Sequence, residues 1–145
     1  MNISKGAKLT RVSNAVAAGT SDVTCSTIDT QGYDSCVFIA AFGTLTAGAV
    51  TSVKAQQGAA SDMSDAADLE GTGITIADSD DNGLVMLEIT SPRERYIRCI
   101  IDRGTANAVV DGVFALQSKA GVVPVVHDST VIGSEHHLAP AEGTA

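Results

Sequence analysis

The run Cys36-Val37-Phe38-Ile39-Ala40-Ala41-Phe42 places seven apolar residues in succession, and its reading decides the fold. It is bounded by Gly32 and Asp34 on one side and by Gly43 on the other, both turn-forming boundaries. An apolar run this short, with no polar residue at helical spacing, is a strand covered on both faces, such as the central strand of a sheet between two packed layers.

Working outward, the flanking sequence falls into short β-like runs separated by turn chemistry. Toward the N-terminus these are Val12 to Ala18 and Val23 to Ile28, parted by Gly19-Thr20-Ser21-Asp22. Toward the C-terminus they are Ala49 to Gln57, Gly73 to Ala77, Leu84 to Thr90, Arg93 to Arg103 and Ala108 to Gln117. In Leu84 to Thr90, strict alternation directs Val85, Leu87 and Ile89 inward and Leu84, Met86 and Glu88 outward. Arg95, Ile97, Cys99 and Ile101 alternate in the same way with Tyr96, Arg98, Ile100 and Asp102. Gly58 to Gly71 reads as a loop with room for one helical turn begun by Ser61. Turns every eight to twelve residues without a long helical period predict an all-β fold: an antiparallel β-sandwich or jelly roll of about eight strands.

Extended arms are expected at both ends. Residues 1–11 form an N-terminal arm or edge strand, 12–120 the sandwich domain, and 121–145 an extended C-terminal arm whose composition cannot build a core. The basic opening supplies Lys5, Lys8 and Arg11, and the closing segment supplies Val125, Val126, Val131, Ile132 and Leu138. These are too few for a core but enough to fill successive pockets on a neighbour, so all eight are candidate contacts to another subunit or to a shell. On this reading the arm serves contact rather than fold stability.

Composition narrows the function. The chain has 145 residues, 9 Lys and Arg against 17 Asp and Glu, and a net charge of −8. That balance excludes a nucleic-acid coat, whose affinity comes from basic residues on phosphate. A stretch of 19 uncharged residues between Asp34 and Lys54 is interrupted by Gly43, Thr44, Thr46 and Gly48, so two strands joined near Gly43 to Gly48 explain it better than a membrane span. The opening residues lack the apolar segment of a signal peptide, which implies synthesis in a cytoplasm. Cys25, Cys36 and Cys99 form neither a disulfide framework nor a zinc pattern and read as free thiols buried in strands. Eight carboxylates lie between Asp62 and Glu88 without a Lys or Arg, and four arginines between Arg93 and Arg103. Such segregation describes either adjoining solvated faces or the complementary ends of a subunit contact.

The sharpest chemical motif is Asp78-Ser79-Asp80-Asp81-Asn82-Gly83. Its Asp78, Asp80 and Asn82 have the spacing of a Ca²⁺ loop. Ile89 stands where the closing bidentate acid belongs, so a solvated acidic hairpin turn is the plainer reading. His127, Glu135, His136 and His137 read as solvated side chains in a tail. No Walker loop, dinucleotide fingerprint or nucleophile elbow occurs, and an enzyme and a cofactor are not expected.

The segments Gln56-Gln57-Gly58, Asp65-Ala66-Ala67-Asp68-Leu69-Glu70-Gly71, Arg95-Tyr96-Ile97-Arg98, Gly104-Thr105-Ala106-Asn107 and Pro140-Ala141-Glu142-Gly143-Thr144-Ala145 follow one another over the last two-thirds of the chain. In this order and composition the chain resembles small structural proteins of tailed-bacteriophage virions, the head decoration or cement proteins. The resemblance implies a compact β domain without a catalytic site, and a terminal arm that fastens it to the major capsid protein. It further implies self-association, a trimer among the arrangements, and a place on the capsid surface after synthesis in the host cytoplasm. A tail or head-to-tail virion protein, and a carbohydrate- or calcium-dependent binding module, are the alternatives.

Overall fold

Period-two alternation of buried and exposed side chains, interrupted by glycine and aspartate turns, builds the chain into strands. The computed structural model describes residues 2–139, 141, 142 and 144; Pro140, Gly143 and Ala145 of the expected C-terminal arm, and Met1 of the N-terminal one, lie outside the described residues. A single helical turn, α1 (Ile3–Gly6), precedes eleven strands. They are β1 (Lys8–Ser13), β2 (Val16–Gly19), β3 (Val23–Thr24), β4 (Ile28–Asp29), β5 (Tyr33–Leu45), β6 (Thr51–Gly58), β7 (Ala67–Asp68), β8 (Ile74–Ile76), β9 (Leu84–Thr90), β10 (Tyr96–Asp102) and β11 (Ala108–Ala120). With 48% of the chain in strands and 3% in helix, the fold is all-β.

The strands form two antiparallel sheets, as in a sandwich. The first has the order β1-β11-β5-β9, with β2 also paired to β11; the second has β3-β10-β6-β7, with β4 on β10 and β8 on β6. Each inner face contributes alternate residues to one core. Phe38, Phe42, Val110 and Val113 come from the first sheet and Val53, Ile97 and Ile101 from the second, all buried almost completely. Small residues such as Ala40, Ala55, Ala108 and Ala115, each at most 1% exposed, let the layers close where aromatics are scarce.

Three features differ from the sequence reading. The strands number eleven, not eight, because the expected runs Val12 to Ala18 and Val23 to Ile28 each divide into two short pieces that share one neighbour, and β7 forms within the expected loop Gly58 to Gly71, beside β8 on β6. Asn14 and Ala15 separate β1 from β2, just beyond a register shift between Arg11 and Ser13; Cys25 to Thr27 separate β3 from β4. The loop Gly58 to Gly71 holds no helix. Its turns are closed by Met63 N–H on Ala60 and Ala66 N–H on Met63, while Asp65 accepts from Ala59 and Ala60 and so competes with helical pairing. Finally, Asp78 to Gly83 is not a hairpin turn, whereas Gly43 to Gly48 does lie where one strand gives way to the next, β5 to β6. β5 continues through Gly43, and each connection carries the chain from one sheet to the other. Among the described residues no helix is long and apolar enough to cross a membrane.

Candidate docking surface

The outer faces of the two sheets differ in chemistry. On the second sheet, register places Arg98 beside Gln56 and Gln56 beside Asp68. Arg98 donates to Gln56 at 2.8 Å, Gln56 to Asp68 at 2.7 Å, and Lys54 to Asp68 at 2.7 Å. That face is a hydrogen-bonded polar lattice.

The first sheet presents apolar rows outward. Leu9, Leu116 and Val37 share one row with Glu88, and Arg11, Phe114, Ile39 and Met86 share the next. Ala41 and Leu84 follow. Leu84 is 72% and Met86 66% exposed, although both belong to the edge strand β9. Thus Leu84, Met86 and Glu88 point outward and Leu87 inward, as alternation requires. Arg11 lies over the Phe114 ring, 5.8 Å from its centroid, and shields one end of the patch.

The C-terminal arm covers that same end. It runs parallel to β1: Val125 N–H donates to Lys5, Asp128 N–H to Leu9, and Arg11 N–H to Thr130 Oγ1, at 2.9, 3.3 and 3.0 Å. His127 fastens it twice, its Nδ1 facing the Leu9 N–H at 3.2 Å and its Nε2 facing the Ser4 carbonyl at 3.0 Å. The arm turns at Asp128, whose carboxylate accepts from the Thr130 N–H and hydroxyl. Those bonds, the Thr130 backbone first, hold the Asp128 carboxyl below its usual range. A cavity of about 450 Å³ opens between arm and sheet, lined by Ile3, Leu9, Leu116, His127 and Val131 among others.

The expected contact residues therefore divide. Lys5, Arg11, Val125 and Val131 are drawn together by the arm's seat on its own β1, with Lys8 near enough to influence Asp128. Val126, Ile132 and Leu138 point into solvent, 82%, 103% and 92% exposed. Leu9, Phe114 and Leu116 were not singled out in the sequence, although apolar residues on both faces of the Ala108 to Gln117 run are the signal that marks two of them; His127, expected as a solvated tail side chain, is instead half-buried against Leu9 and Ser4.

The acidic motif holds backbone outside itself. Asp81 accepts from Leu45 N–H at 2.6 Å, Asp78 from Gly48 at 2.8 Å, and Asp80 from Ala77 at 2.9 Å. Asn82 adopts a left-handed φ of 60°, which Asn tolerates. The carboxylates are thus spent as anchors between the two sheet-crossing loops, and among the described residues no three His, Cys, Asp or Glu side chains are grouped to hold a metal ion. Glu135 pairs with His137 at 2.7 Å. The four arginines do not form one patch either: Arg95 forks onto Asp29, while Arg103, 6% exposed, donates to the carbonyls of Ser21, Ala17 and Ala108.

No family model, curated protein or solved structure matches the chain.

Proposed function

We propose that the chain is a non-enzymatic structural protein of a tailed-bacteriophage virion, a head decoration protein that docks on the major capsid protein and stabilises the shell as a homo-oligomer. The observation that carries this reading is the sidedness of the sandwich. One outer face is a polar lattice suited to solvent, whereas the other exposes Leu84 and Met86 beside an arm that leaves Ile132 and Leu138 bare. Contiguous apolar surface on a soluble domain marks a contact site.

The strand order lends support. Grouped by shared neighbour, the strands occupy eight places in the chain, ordered first-eighth-third-sixth in one sheet and second-seventh-fourth-fifth in the other. That is the double Greek key of a jelly roll, an architecture used in viral shells and in lectins. A carbohydrate module has less behind it: two Tyr and three Phe are the whole aromatic supply, and the carboxylates that a bound calcium would need already hold backbone N–H groups.

The test is to mix the purified chain with mature phage heads lacking their decoration protein and to image the particles. Regular density on the outer shell supports the reading. Density at the portal or tail moves the chain to a head-to-tail role, and binding to glycan but not to shells replaces the proposal.

A further inference from the structure

Cys25 and Cys99 are distant in sequence but directly opposed in the second sheet. Thr24 pairs with Ile100 in an antiparallel ladder, so the next residues along are Cys25 and Cys99, and Cys25 N–H donates to the Cys99 carbonyl at 3.0 Å. Both side chains point into the core, at 3% and 0% exposure. Directly opposed residues of an antiparallel ladder lie about 4.5–5.5 Å apart at Cα, within the span of about 4.4–6.8 Å that a disulfide bridges. All three cysteines are free.

We propose that Cys25 and Cys99 form an oxidisable pair, which a small-molecule disulfide closes into a cross-strand disulfide. Cys25 rather than Cys36 is the partner because it is the ladder neighbour of Cys99 within one sheet, whereas Cys36 lies on the facing sheet, paired with Ile89. The chemistry balances as two exchanges. Cys25 attacks the oxidant, forming a mixed disulfide and releasing one small thiol. Cys99 then attacks the Cys25 sulfur, the protein S–S bond forms, and the second small thiol leaves with the remaining proton. The protein thiols are oxidised and the small disulfide is reduced to two thiols.

The environment makes this slow but selective. The neighbouring Cys25 and burial push the Cys99 thiol far up, and burial pushes Cys36 up to about 12, so thiolate at these two residues is scarce in the closed fold. Access requires the Cys25 segment to lift from β10, to which β3 is tied by a register of two residue pairs. Once closed, the bond staples this short edge strand to β10. The inference is independent of the virion reading.

The experiment incubates the folded full-length chain with oxidised glutathione, quenches with acid, denatures, alkylates and maps the peptides. The expected product has lost two hydrogens, retains one alkylatable thiol, and links Cys25 to Cys99. Its Tm lies on the order of 10 °C above the reduced chain's and returns on reduction. Cys36→Ser keeps the bridge and Cys99→Ser abolishes it; the wild-type map decides even where a variant does not fold. Three alkylatable thiols after an incubation that oxidises the urea-unfolded chain, a bridge to Cys36, an interchain disulfide, or a persistent glutathione adduct each overturn the proposal.

Discussion

The Asp81 carboxylate receives the Leu45 backbone N–H at 2.6 Å, tying the loop that leaves β8 to the end of β5. What the sequence presents as half of a cation site is, in the fold, a clasp between two crossings of the sandwich. Asp81→Ala should therefore lower stability by about 1 kcal/mol, and millimolar Ca²⁺ should leave the wild-type Tm unchanged. Thermal unfolding with and without EDTA checks both, and a large EDTA effect would restore Asp78, Asp80 and Asn82 as ligands.

Arg103 is the most demanding polar residue of the interior. It satisfies three backbone carbonyls at 2.6, 2.7 and 3.0 Å. Arg103→Ala should destabilise by about 3 kcal/mol or more, since buried acceptors are left unmet. Arg103→Lys should recover little, because an ammonium lacks the planar fork. Urea titration at constant m-value measures both.

Leu84 and Met86 should matter for association and not for folding. Replacing both by Ser is expected to change stability by less than about 0.5 kcal/mol while sharply reducing attachment to shells and self-association. Shell co-sedimentation alongside thermal unfolding separates the two effects. Normal attachment by a folded double variant would remove this face from the docking surface.

Acid should loosen the fold with a defined sign. The hydrogen bond from Arg95 holds the Asp29 carboxyl below its ordinary value of 3.8; Lys54 does the same for Asp68, and Ser91 for Asp34. A lowered folded-state pKa gives stability that is present above the unfolded value and lost as pH falls through the folded one. The Tm should accordingly drop below about pH 4, modestly per group because these pairs are solvent-screened. Asp29→Asn should flatten part of that drop.

Truncation should divide the arm. Removing residues after Val131 should leave Tm unchanged, because Ile132 and Leu138 are bare. Removing residues after Val123 also strips His127 and Thr130 from β1 and should cost about 1–2 kcal/mol, the worth of a few exposed backbone bonds. Equal Tm for the two truncations would show the seat on β1 to be energetically idle.

Much of the sandwich was legible in local sequence. The alternation of Leu84 to Thr90 sets which side chains face the core, and Cys36 to Phe42 is central because no polar residue offers it a solvent face. Where reading failed, the determinant was non-local. Nothing near Asp78 announces that Leu45 and Gly48 lie opposite it, nor does Arg103 announce carbonyls from Ala17 and Ser21. Strand breaks escaped for a related reason: a register shift such as that between Arg11 and Ser13 is set by the partner strand, not by composition. The docking face was half visible, since outward Leu84 and Met86 follow from period two, but their neighbours Phe114 and Leu116 join them through the register of β5 with β11 and β9.

The arm's course along β1 has a bearing on how copies can add to one another. With that margin of the first sheet occupied from within, β9 is left as the long strand whose outward backbone groups meet no described neighbour. Sheet-continuing growth needs both a donor and an acceptor margin on every copy, and in the first sheet the arm closes one of the two along β1. Joining of first sheets is then isologous, β9 against β9 about a two-fold axis, and ends at two copies, while the second sheet offers only the short strands β3, β4, β7 and β8 at its margins. A trimer or a higher ring draws on faces, tails or those short margins, and a fibre that extends the first sheet is denied its template for as long as the arm stays seated.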